Sequence, residues 1–223
     1  MKLAAVIASR GGDSAKTRFS GHLSSTDRDL LTQALLATML CRLKDTGICL
    51  FVVSPTLHLL DLAERFGAQS IPQVYDTGLN AGFASARDAV LRRHPEATIA
   101  LLPGDLPLIS ASDLRNILMT ARSSSAMIVR SATASGTGAL VLPASSSLRP
   151  EFGTDSFRRH MRQAFQKKER LAPAVSMSIA RDADTPVQLA AMQPELLDGE
   201  LPSWLRQTFD QLISKLNLAE GIS

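Results

Sequence analysis

Asp105 stands at a position where a carboxylate could bind a metal ion. It follows an apolar, β-compatible run from Ala97 to Leu102, and Pro103 and Gly104 bound that run. A short apolar run with such bounds is typical of a strand buried on both faces. Ligands of parallel sheets bind at the carboxyl ends of the strands, so Asp105 is a candidate metal ligand. The alternative is that Asp105 only caps the helix that follows.

A second pair of carboxylates lies near the end of the chain. Asp182 and Asp184 are two residues apart, and in an extended chain their side chains point to the same side. Two carboxylates this close repel each other, which a bound cation would relieve. Thr185 and Pro186 begin a helix, with proline in its first turn. The alternative is that Asp184 caps this helix and Asp182 is solvated.

The loop after the first apolar run has the composition of an anion site. Gly11 and Gly12 allow the backbone to approach a ligand closely, and Arg10, Lys16 and Arg18 add three cations. Free backbone amides combined with cations typically bind phosphate. The loop matches neither the Walker motif nor Gly-x-Gly-x-x-Gly. A solvated basic loop is the alternative.

Two further polar positions have both a ligand-binding and a structural interpretation. Asn80 lies at a helix start after a polar loop from Asp76, where it could cap the helix or contact a base or ribose. Thr137 is flanked by Gly136 and Gly138, so its hydroxyl and nearby amides could face a ligand. A plain hairpin turn is the alternative for this segment.

The start of another helix offers a third group of ligand candidates. Gly153 and Ser156 precede it, and unpaired amides at a helix N-terminus favour anions. His160 lies on this helix and could contact a ligand, although a single histidine on a helix is more often structural. The spacing predicts an apolar face made of Phe157, Met161 and Phe165.

The elements that position these residues alternate between strands and helices. Strands are predicted at 3–8, 48–53, 97–102, 126–131 and 175–179, with a further strand after residue 138. Helices are predicted between them, including 57–66 and 110–121. This alternation predicts a three-layer α/β/α fold with a mainly parallel mixed sheet.

The C-terminal segment has a different pattern from the rest. We expect a domain from 1 to 193 and a helical extension from 194 to 223. The extension has an apolar face on one amphipathic helix, made of Trp204, Leu205, Phe209, Leu212, Ile213 and Leu216. We expect this face to pack on the domain or on a second subunit, so a homodimer is possible.

Composition limits the classes of partner. The net charge of +3 is too small to indicate nucleic acid binding. Eight Phe, one Trp and one Tyr provide no platform for stacked bases. Cys41 and Cys49 lack metal-binding spacing, and there is no apolar run of about 18 residues. We therefore expect a reduced cytoplasmic protein without a membrane or nucleic acid partner.

Taken together and in this order, the motifs resemble the 2-phospho-L-lactate guanylyltransferase family, which includes phosphoenolpyruvate and 3-phosphoglycerate guanylyltransferases. These enzymes serve the biosynthesis of the deazaflavin coenzyme F-420. The resemblance spans roughly residues 3 to 192, and no single motif carries it. The matching stretches are Ala15-Lys-Thr-Arg-Phe-Ser20, Gly78-Leu-Asn-Ala81, Gly104-Asp-Leu-Pro-Leu108, Gly136-Thr-Gly-Ala-Leu140, Phe152-Gly-Thr-Asp-Ser156 and Asp182-Ala-Asp-Thr-Pro186.

The resemblance implies a glycosyltransferase-A-like nucleotidyltransferase fold and a set of residue roles. Mg²⁺ would be held by Asp105, Asp182 and Asp184, and GTP would be the nucleotide substrate. Catalytic roles would fall to Lys16, Arg18 and Asp105, with Lys16 and Arg18 on the phosphates. The remaining nucleotide contacts would come from Arg10, Gly11, Gly12 and Asn80, and the contacts to the phospho-acid acceptor from Thr137, Gly153 and Ser156.

Two departures from the family pattern and two alternative functions complete these expectations. Arg10 stands where the family more often has Lys, and Gly138 replaces an Asn near the acceptor site. One alternative is another nucleotidyltransferase, such as a molybdopterin guanylyl- or sugar-phosphate cytidylyltransferase. The other is a non-catalytic GTP-binding regulator.

Overall fold

The computed structural model describes residues 2–12, 15–73, 77–123, 125–132, 135–198 and 200–220. Asp76, from which the polar loop before Asn80 was expected to begin, lies outside these residues. The strands are β1 (Leu3–Ala8), β2 (Cys49–Ser54), β3 (Gln69–Pro72), β4 (Thr98–Pro103), β5 (Ala126–Arg130), β6 (Thr137–Leu142) and β7 (Leu171–Ala174). They form a single sheet in the order β3-β2-β1-β4-β6-β5-β7.

The helices connect successive strands and cover both faces of the sheet. A short 3-10 helix, Thr17–Phe19, follows the first loop. The α-helices are α1 (Ser25–Leu43), α2 (Leu57–Arg65), α3 (Leu79–Arg93), α4 (Ala111–Ser123), α5 (Ser156–Lys167), α6 (Met177–Ala180), α7 (Pro186–Ala190), α8 (Gln193–Leu196) and α9 (Ser203–Glu220).

The sheet is mixed, and its antiparallel strand bears on the site. β1 pairs in parallel with both β2 and β4, whereas β6 is antiparallel to β4 and to β5. The carboxyl ends of β1 and β4 therefore lie at the same edge as the start of β6. The expected three-layer α/β/α fold with a mainly parallel mixed sheet is confirmed.

Alternating residues of the central strands face two separate cores. Ala5 and Ile7 of β1 belong to one apolar cluster, and Ala4 and Val6 belong to another on the opposite face of the sheet. All four side chains are fully buried. This explains why β1 is apolar at every position rather than at every second one.

Two predictions differ from the structure, and one strand was not predicted. The strand expected at 175–179 is wrong, because β7 ends at Ala174 and α6 begins at Met177, where the Ser176 hydroxyl caps Ile179 N–H. The edge strand β3 was not predicted, since Ile71 is its one buried residue. On α5, Phe165 is 86% exposed. Phe157 and Met161 of the predicted face do pack, partly buried, against the apolar cluster that contains Ala4 and Val6. The helix also buries polar side chains, among them His160 and Gln163.

The C-terminal helix α9 packs on the rest of the chain. Leu205, Phe209 and Ile213 are buried in a third apolar cluster that also contains residues of α1, such as Leu31 and Leu35. Trp204, expected on this face, is about half exposed. Among the described residues, no helix combines the length and apolar character needed to cross a membrane.

Candidate active site

The ends of β1 and β4 approach closely enough to bring two sequence motifs together. β1 is paired with β4 from Leu3 to Ala8. A Cβ atom on Gly104 would lie 2.8 Å from the Ala8 carbonyl oxygen and 2.9 Å from Ser9 Cβ. Only glycine fits this approach, and it places Asp105 beside the first loop.

Lys16 joins this edge of the sheet to the Asp182–Asp184 segment. Its Nζ atom donates to Asp105 Oδ2 at 2.8 Å, to the Ala183 carbonyl at 2.8 Å and to Asp184 Oδ1 at 3.2 Å. Ala183 N–H also donates to the Asp105 carbonyl at 2.9 Å. Lys16 has a left-handed backbone with φ of 46°, which costs a non-glycine residue free energy and is retained where surrounding contacts enforce it.

We call Lys16, Asp105 and Asp184 the charged cluster. The Lys16 side chain is 11% exposed and the Asp105 side chain 19% exposed. Asp105 Oδ1 is buried and meets no hydrogen-bond donor among the described residues. Such a carboxylate oxygen is costly in the protein alone and is a natural ligand for a cation.

Burial and mutual charge shift the pKa values of this cluster. Burial raises the pKa of Asp105, Lys16 opposes the change, and Asp184 adds to it. Burial alone would raise the pKa of Asp184, but Lys16, Asp105 and Arg18 outweigh it and lower that pKa. Burial would lower the pKa of Lys16, yet Asp105 and Asp184 raise it, so Lys16 is charged at neutral pH.

Asp182 makes its hydrogen bonds to residues other than Lys16. Its Oδ1 accepts from Gln188 Nε2 at 2.8 Å, and its Oδ2 accepts from Ser131 Oγ at 3.1 Å. Burial, followed by the nearby charge of Asp184, raises the pKa of Asp182. Among the described residues, there is no group of three or more Asp, Glu, His or Cys side chains that could hold a metal ion. Asp105 and Asp184 therefore share Lys16, whereas Asp182 accepts from Ser131 and Gln188.

A cleft of about 390 Å³ opens over the charged cluster. This volume is in the range of pockets that bind small ligands. Arg18 lies at its rim and donates to Asp184 Oδ2 at 3.0 Å. Besides these residues, the cleft is lined by Ala8, Ser9, Arg10, Ala15, Thr17, Thr32, Val53, Pro55, Gln73, Leu79 and Gly104.

The two glycines of the first loop have their amides occupied. Gly11 N–H donates to Thr56 Oγ1 at 3.2 Å, and Gly12 N–H donates to Asp29 Oδ1 at 2.6 Å. Asp29 Oδ2 also accepts from Gln33 and lies 3.1 Å from His58 Nε2. Neither glycine lines the cleft. The predicted nucleotide contact through these amides would require the hydrogen bonds of Gly11 to Thr56 and of Gly12 to Asp29 to be replaced.

The predicted acceptor residues form a second group of polar side chains. Ser156 Oγ donates to Thr137 Oγ1 at 3.0 Å, and His160 Nδ1 lies 3.1 Å from the same oxygen. All three residues are buried. We call Thr137, Ser156 and His160 the hydroxyl cluster.

Two amides at the start of α5, where an anion was expected to bind, are used within the fold. Ser156 N–H donates to the carbonyl of Gly153, which is exposed with φ of 114°. Phe157 N–H donates to the Ser135 carbonyl. These two amides therefore fix the loop before α5.

Asn80 holds that loop from the other side. Its Nδ2 donates to the Phe152 carbonyl at 3.0 Å, and its Oδ1 accepts from Phe152 N–H at 2.7 Å. Its neighbour Leu79 lines the cleft, whereas Asn80 does not. The predicted nucleoside contact would thus require Asn80 to exchange both bonds, which now tie α3 to the loop before α5.

The structure also gives a physical reason for the departure at Gly138. A Cβ atom there would collide with the Ile179 carbonyl oxygen of α6. Sequence reasoning missed Asp29 and Thr56 altogether. Their contacts with the first loop span 17 and 45 residues, and no local pattern indicates them.

Comparison with known proteins identifies the family. The family described as "Guanylyl transferase CofC like" matches residues 3–199. The chain is 36% identical to a 3-phospho-D-glycerate guanylyltransferase of Phenylobacterium zucineum over 186 residues, 82% of this chain and 85% of that protein. It is 33% identical to a phosphoenolpyruvate guanylyltransferase of Nocardia farcinica over 190 residues, 83% of this chain and 82% of that protein.

Solved structures agree at the level of the fold. A putative nucleotide-diphospho-sugar transferase from Desulfovibrio desulfuricans G20 superposes with a TM-score of 0.74 at 13% identity, covering 98% of this chain and 99% of that one. The resemblance inferred from the motifs is confirmed: this chain belongs to the CofC-like family of guanylyltransferases.

Proposed function

We propose that the protein transfers GMP from GTP to the phosphate of a three-carbon phospho-acid and releases pyrophosphate, with Mg²⁺ at the charged cluster. The observation that carries this proposal is the pair Asp105 and Asp184, joined by Lys16 beneath a cleft. Family membership supports the guanylyl donor and does not favour either alternative function.

The charged cluster fits a divalent metal ion. Asp105 Oδ1 is buried without a donor among the described residues, and Asp184 shares the same lysine. Mg²⁺ prefers oxygen ligands and is often held by one or two carboxylates plus substrate phosphates. Asp105 and Asp184 would hold the ion, and Asp182 would join them only after exchanging its bonds to Ser131 and Gln188. When bound, the ion would neutralise charge on the triphosphate and the leaving pyrophosphate.

Lys16 and Arg18 supply the positive charge that this chain itself brings to the cleft. Lys16 is charged and aimed between two carboxylates, and Arg18 reaches the outer side of Asp184. A bound triphosphate offers both cations stronger anionic partners. We propose that they rotate onto its oxygens, which frees Asp105 and Asp184.

The acceptor phosphate supplies the nucleophile. One of its oxygens attacks the α-phosphorus of GTP, the bond from that phosphorus to the bridging oxygen breaks, and the electron pair leaves with pyrophosphate. Because the acceptor phosphate is already ionised at neutral pH, the reaction needs no general base. Catalysis then rests on positioning and on charge neutralisation by fixed groups.

The acceptor is proposed to lie against the hydroxyl cluster. Glycerate, enolpyruvate and lactate backbones differ by one hydroxyl or one double bond, and polar side chains at the site decide among them. The relatives named above act on 3-phospho-D-glycerate and phosphoenolpyruvate, so both compounds, together with 2-phospho-L-lactate, are the acceptors to test.

An isotope experiment tests the bond that is made. Each acceptor is prepared with ¹⁸O in its phosphate and incubated with GTP and Mg²⁺, and the products are analysed by mass spectrometry. We expect an adduct of GMP and acceptor that keeps all the label, with unlabelled pyrophosphate. Label in pyrophosphate, or free GMP without an adduct, would contradict the proposed reaction.

A further inference from the structure

His160 is buried at a position where its ring can control a neighbouring hydroxyl. It is 1% exposed, and Glu151 N–H donates to its Nε2 at 2.8 Å. A neutral imidazole has one protonated nitrogen, so with Nε2 accepting, the proton lies on Nδ1. Nδ1 faces Thr137 Oγ1 at 3.1 Å and therefore donates to it.

The ring is neutral and held in one orientation. Burial lowers the pKa of His160 to about 4; Glu151 and the backbone of Ser156 oppose this shift, and Arg159 adds to it. The ring of Phe152 meets the imidazole edge-on, with centroids 5.4 Å apart and an angle of 75°. Phe152 in turn packs on Phe83 at 4.7 Å.

Thr137 receives two hydrogen bonds through one oxygen. Ser156 Oγ donates to it at 3.0 Å, in addition to the bond from His160. A hydroxyl oxygen has two lone pairs and one proton. With both lone pairs occupied, the Thr137 hydroxyl can act only as a donor.

The sheet places this donor at the same edge as Asp105. β4 and β6 are antiparallel, with Leu101 opposite Leu140 and Ile99 opposite Leu142. β6 begins at Thr137, and its antiparallel neighbour β4 ends at Pro103, two residues before Asp105. The donor therefore lies at the edge of the sheet where the charged cluster is found.

We infer that His160 is a positioning residue, which makes the Thr137 hydroxyl an obligate donor to an anionic oxygen of the acceptor. This inference rests on the proposed function, because that function supplies the acceptor. A hydroxyl that can only donate favours an acceptor molecule with a carboxylate or phosphate oxygen at that point. A ligand group that can itself only donate would find no hydrogen-bond partner there.

Two substitutions of His160 distinguish the roles of its two ring nitrogens. In His160→Asn the side-chain amide NH₂ lies where Nδ1 lies and can still donate to Thr137. In His160→Gln the amide lies where Nε2 lies, so it keeps a contact with Glu151 but gives Thr137 no donor. A purely structural role would not rank Asn above Gln.

Steady-state kinetics with 3-phospho-D-glycerate and phosphoenolpyruvate measure the effect. We expect His160→Gln to raise the acceptor KM about tenfold, because a bond to a charged group is weakened, while the GTP KM stays within about twofold. His160→Asn should stay within about threefold of the wild type. His94→Gln, at the far end of α3, is the matched control. Equal rises in both KM values, or an Asn variant as impaired as the Gln variant, would overturn the inference.

A spectroscopic measurement on the protein without substrates tests the same point independently of activity. Long-range ¹H–¹⁵N correlation of histidine rings reports which nitrogen is protonated, and the signal lost in His160→Gln assigns His160. We expect the proton on Nδ1, and a proton on Nε2 would overturn the inference. The expected tautomer together with no turnover on any acceptor would instead refute the proposed function and the acceptor role with it.

Discussion

The charged cluster and the hydroxyl cluster lie at the same edge of the sheet but are built in opposite ways. In the first, Lys16 is shared between two carboxylates, and Asp105 Oδ1 has no donor among the described residues. In the second, neutral groups satisfy one another, with Thr137 Oγ1 accepting twice. The first arrangement is ready to exchange partners with a charged ligand, and the second is fixed before the ligand arrives.

This contrast predicts where substitutions act. Groups that neutralise charge in the transition state should control turnover, whereas fixed neutral donors should mainly control the affinity for one substrate. The experiments below test this division, beginning with the largest expected effect.

The largest effect is expected at Asp105. Asp105→Asn keeps the size of the side chain but removes a charge from the metal site, and we expect turnover to fall on the order of 10³-fold. Asp182→Asn is the matched control, since both its oxygens already accept from Ser131 and Gln188. Its expected loss is at least about tenfold smaller. Pyrophosphate release measures both, and equal losses would place Asp182 with Asp105 as an equal member of the site.

A somewhat smaller effect on turnover is expected at Lys16, together with an opposite effect on metal binding. Lys16→Met removes a cation from the triphosphate, so turnover should fall about 10²-fold. Without nucleotide, the same change removes the ammonium that competes for Asp105 and Asp184, so calorimetry should show tighter Mn²⁺ binding. Arg42→Met, at an ion pair with Glu200 outside the cleft, is the control. Weaker Mn²⁺ binding by Lys16→Met would contradict the proposal that Lys16 competes with the metal ion for Asp105 and Asp184.

An effect confined to one substrate is expected at Thr137. Thr137→Val keeps the shape of the side chain and removes its hydroxyl, so the acceptor KM should rise about tenfold. The GTP KM should change by less than about twofold. Initial rates at varied concentrations of each substrate measure this split. A large fall in turnover with unchanged KM values would show that Thr137 belongs functionally with the charged cluster.

Protonation of His160 is expected to have the smallest effect on activity at neutral pH. Its effect should appear instead in the stability of the fold at acidic pH. The pKa of His160 is about 4 in the folded protein against about 6.5 when unfolded. As pH falls through this interval the unfolded state binds the proton first, so the free energy of unfolding should fall by about 2.5 kcal/mol between pH 7 and pH 4.5. Urea unfolding of the wild type and His160→Gln at pH 7 and pH 4.5 measures this term as their difference. Parallel pH dependence in both proteins would contradict it.

The fold was predictable where the pattern is local. β1 is apolar at every position, and β4 is apolar at every position after Thr98, because both faces are buried, and the sequence shows this directly. β7 was misplaced because Pro173 lies within it at the edge of the sheet, while Val175 next to it is apolar but 94% exposed. Whether a residue of an edge strand is exposed depends on which elements pack against it, and the sequence alone does not show this.

The site was predictable as a meeting of motifs but not in its individual contacts. Asp105 follows a central strand and Lys16 follows its parallel neighbour, so topology alone brings them to one edge. Asp182 is hydrogen-bonded by Gln188 and Ser131, and Asn80 is hydrogen-bonded to Phe152, 72 residues away. Such contacts arise only when the loops are folded against one another.

The most direct test of the account is pyrophosphate release by the wild-type protein with GTP and Mg²⁺. Separate reactions contain 2-phospho-L-lactate, phosphoenolpyruvate or 3-phospho-D-glycerate, and one contains no acceptor. The account predicts release that depends on GTP and on at least one of the three acceptors. Absence of release with all three, from protein shown to be folded by its cooperative thermal transition, would contradict it.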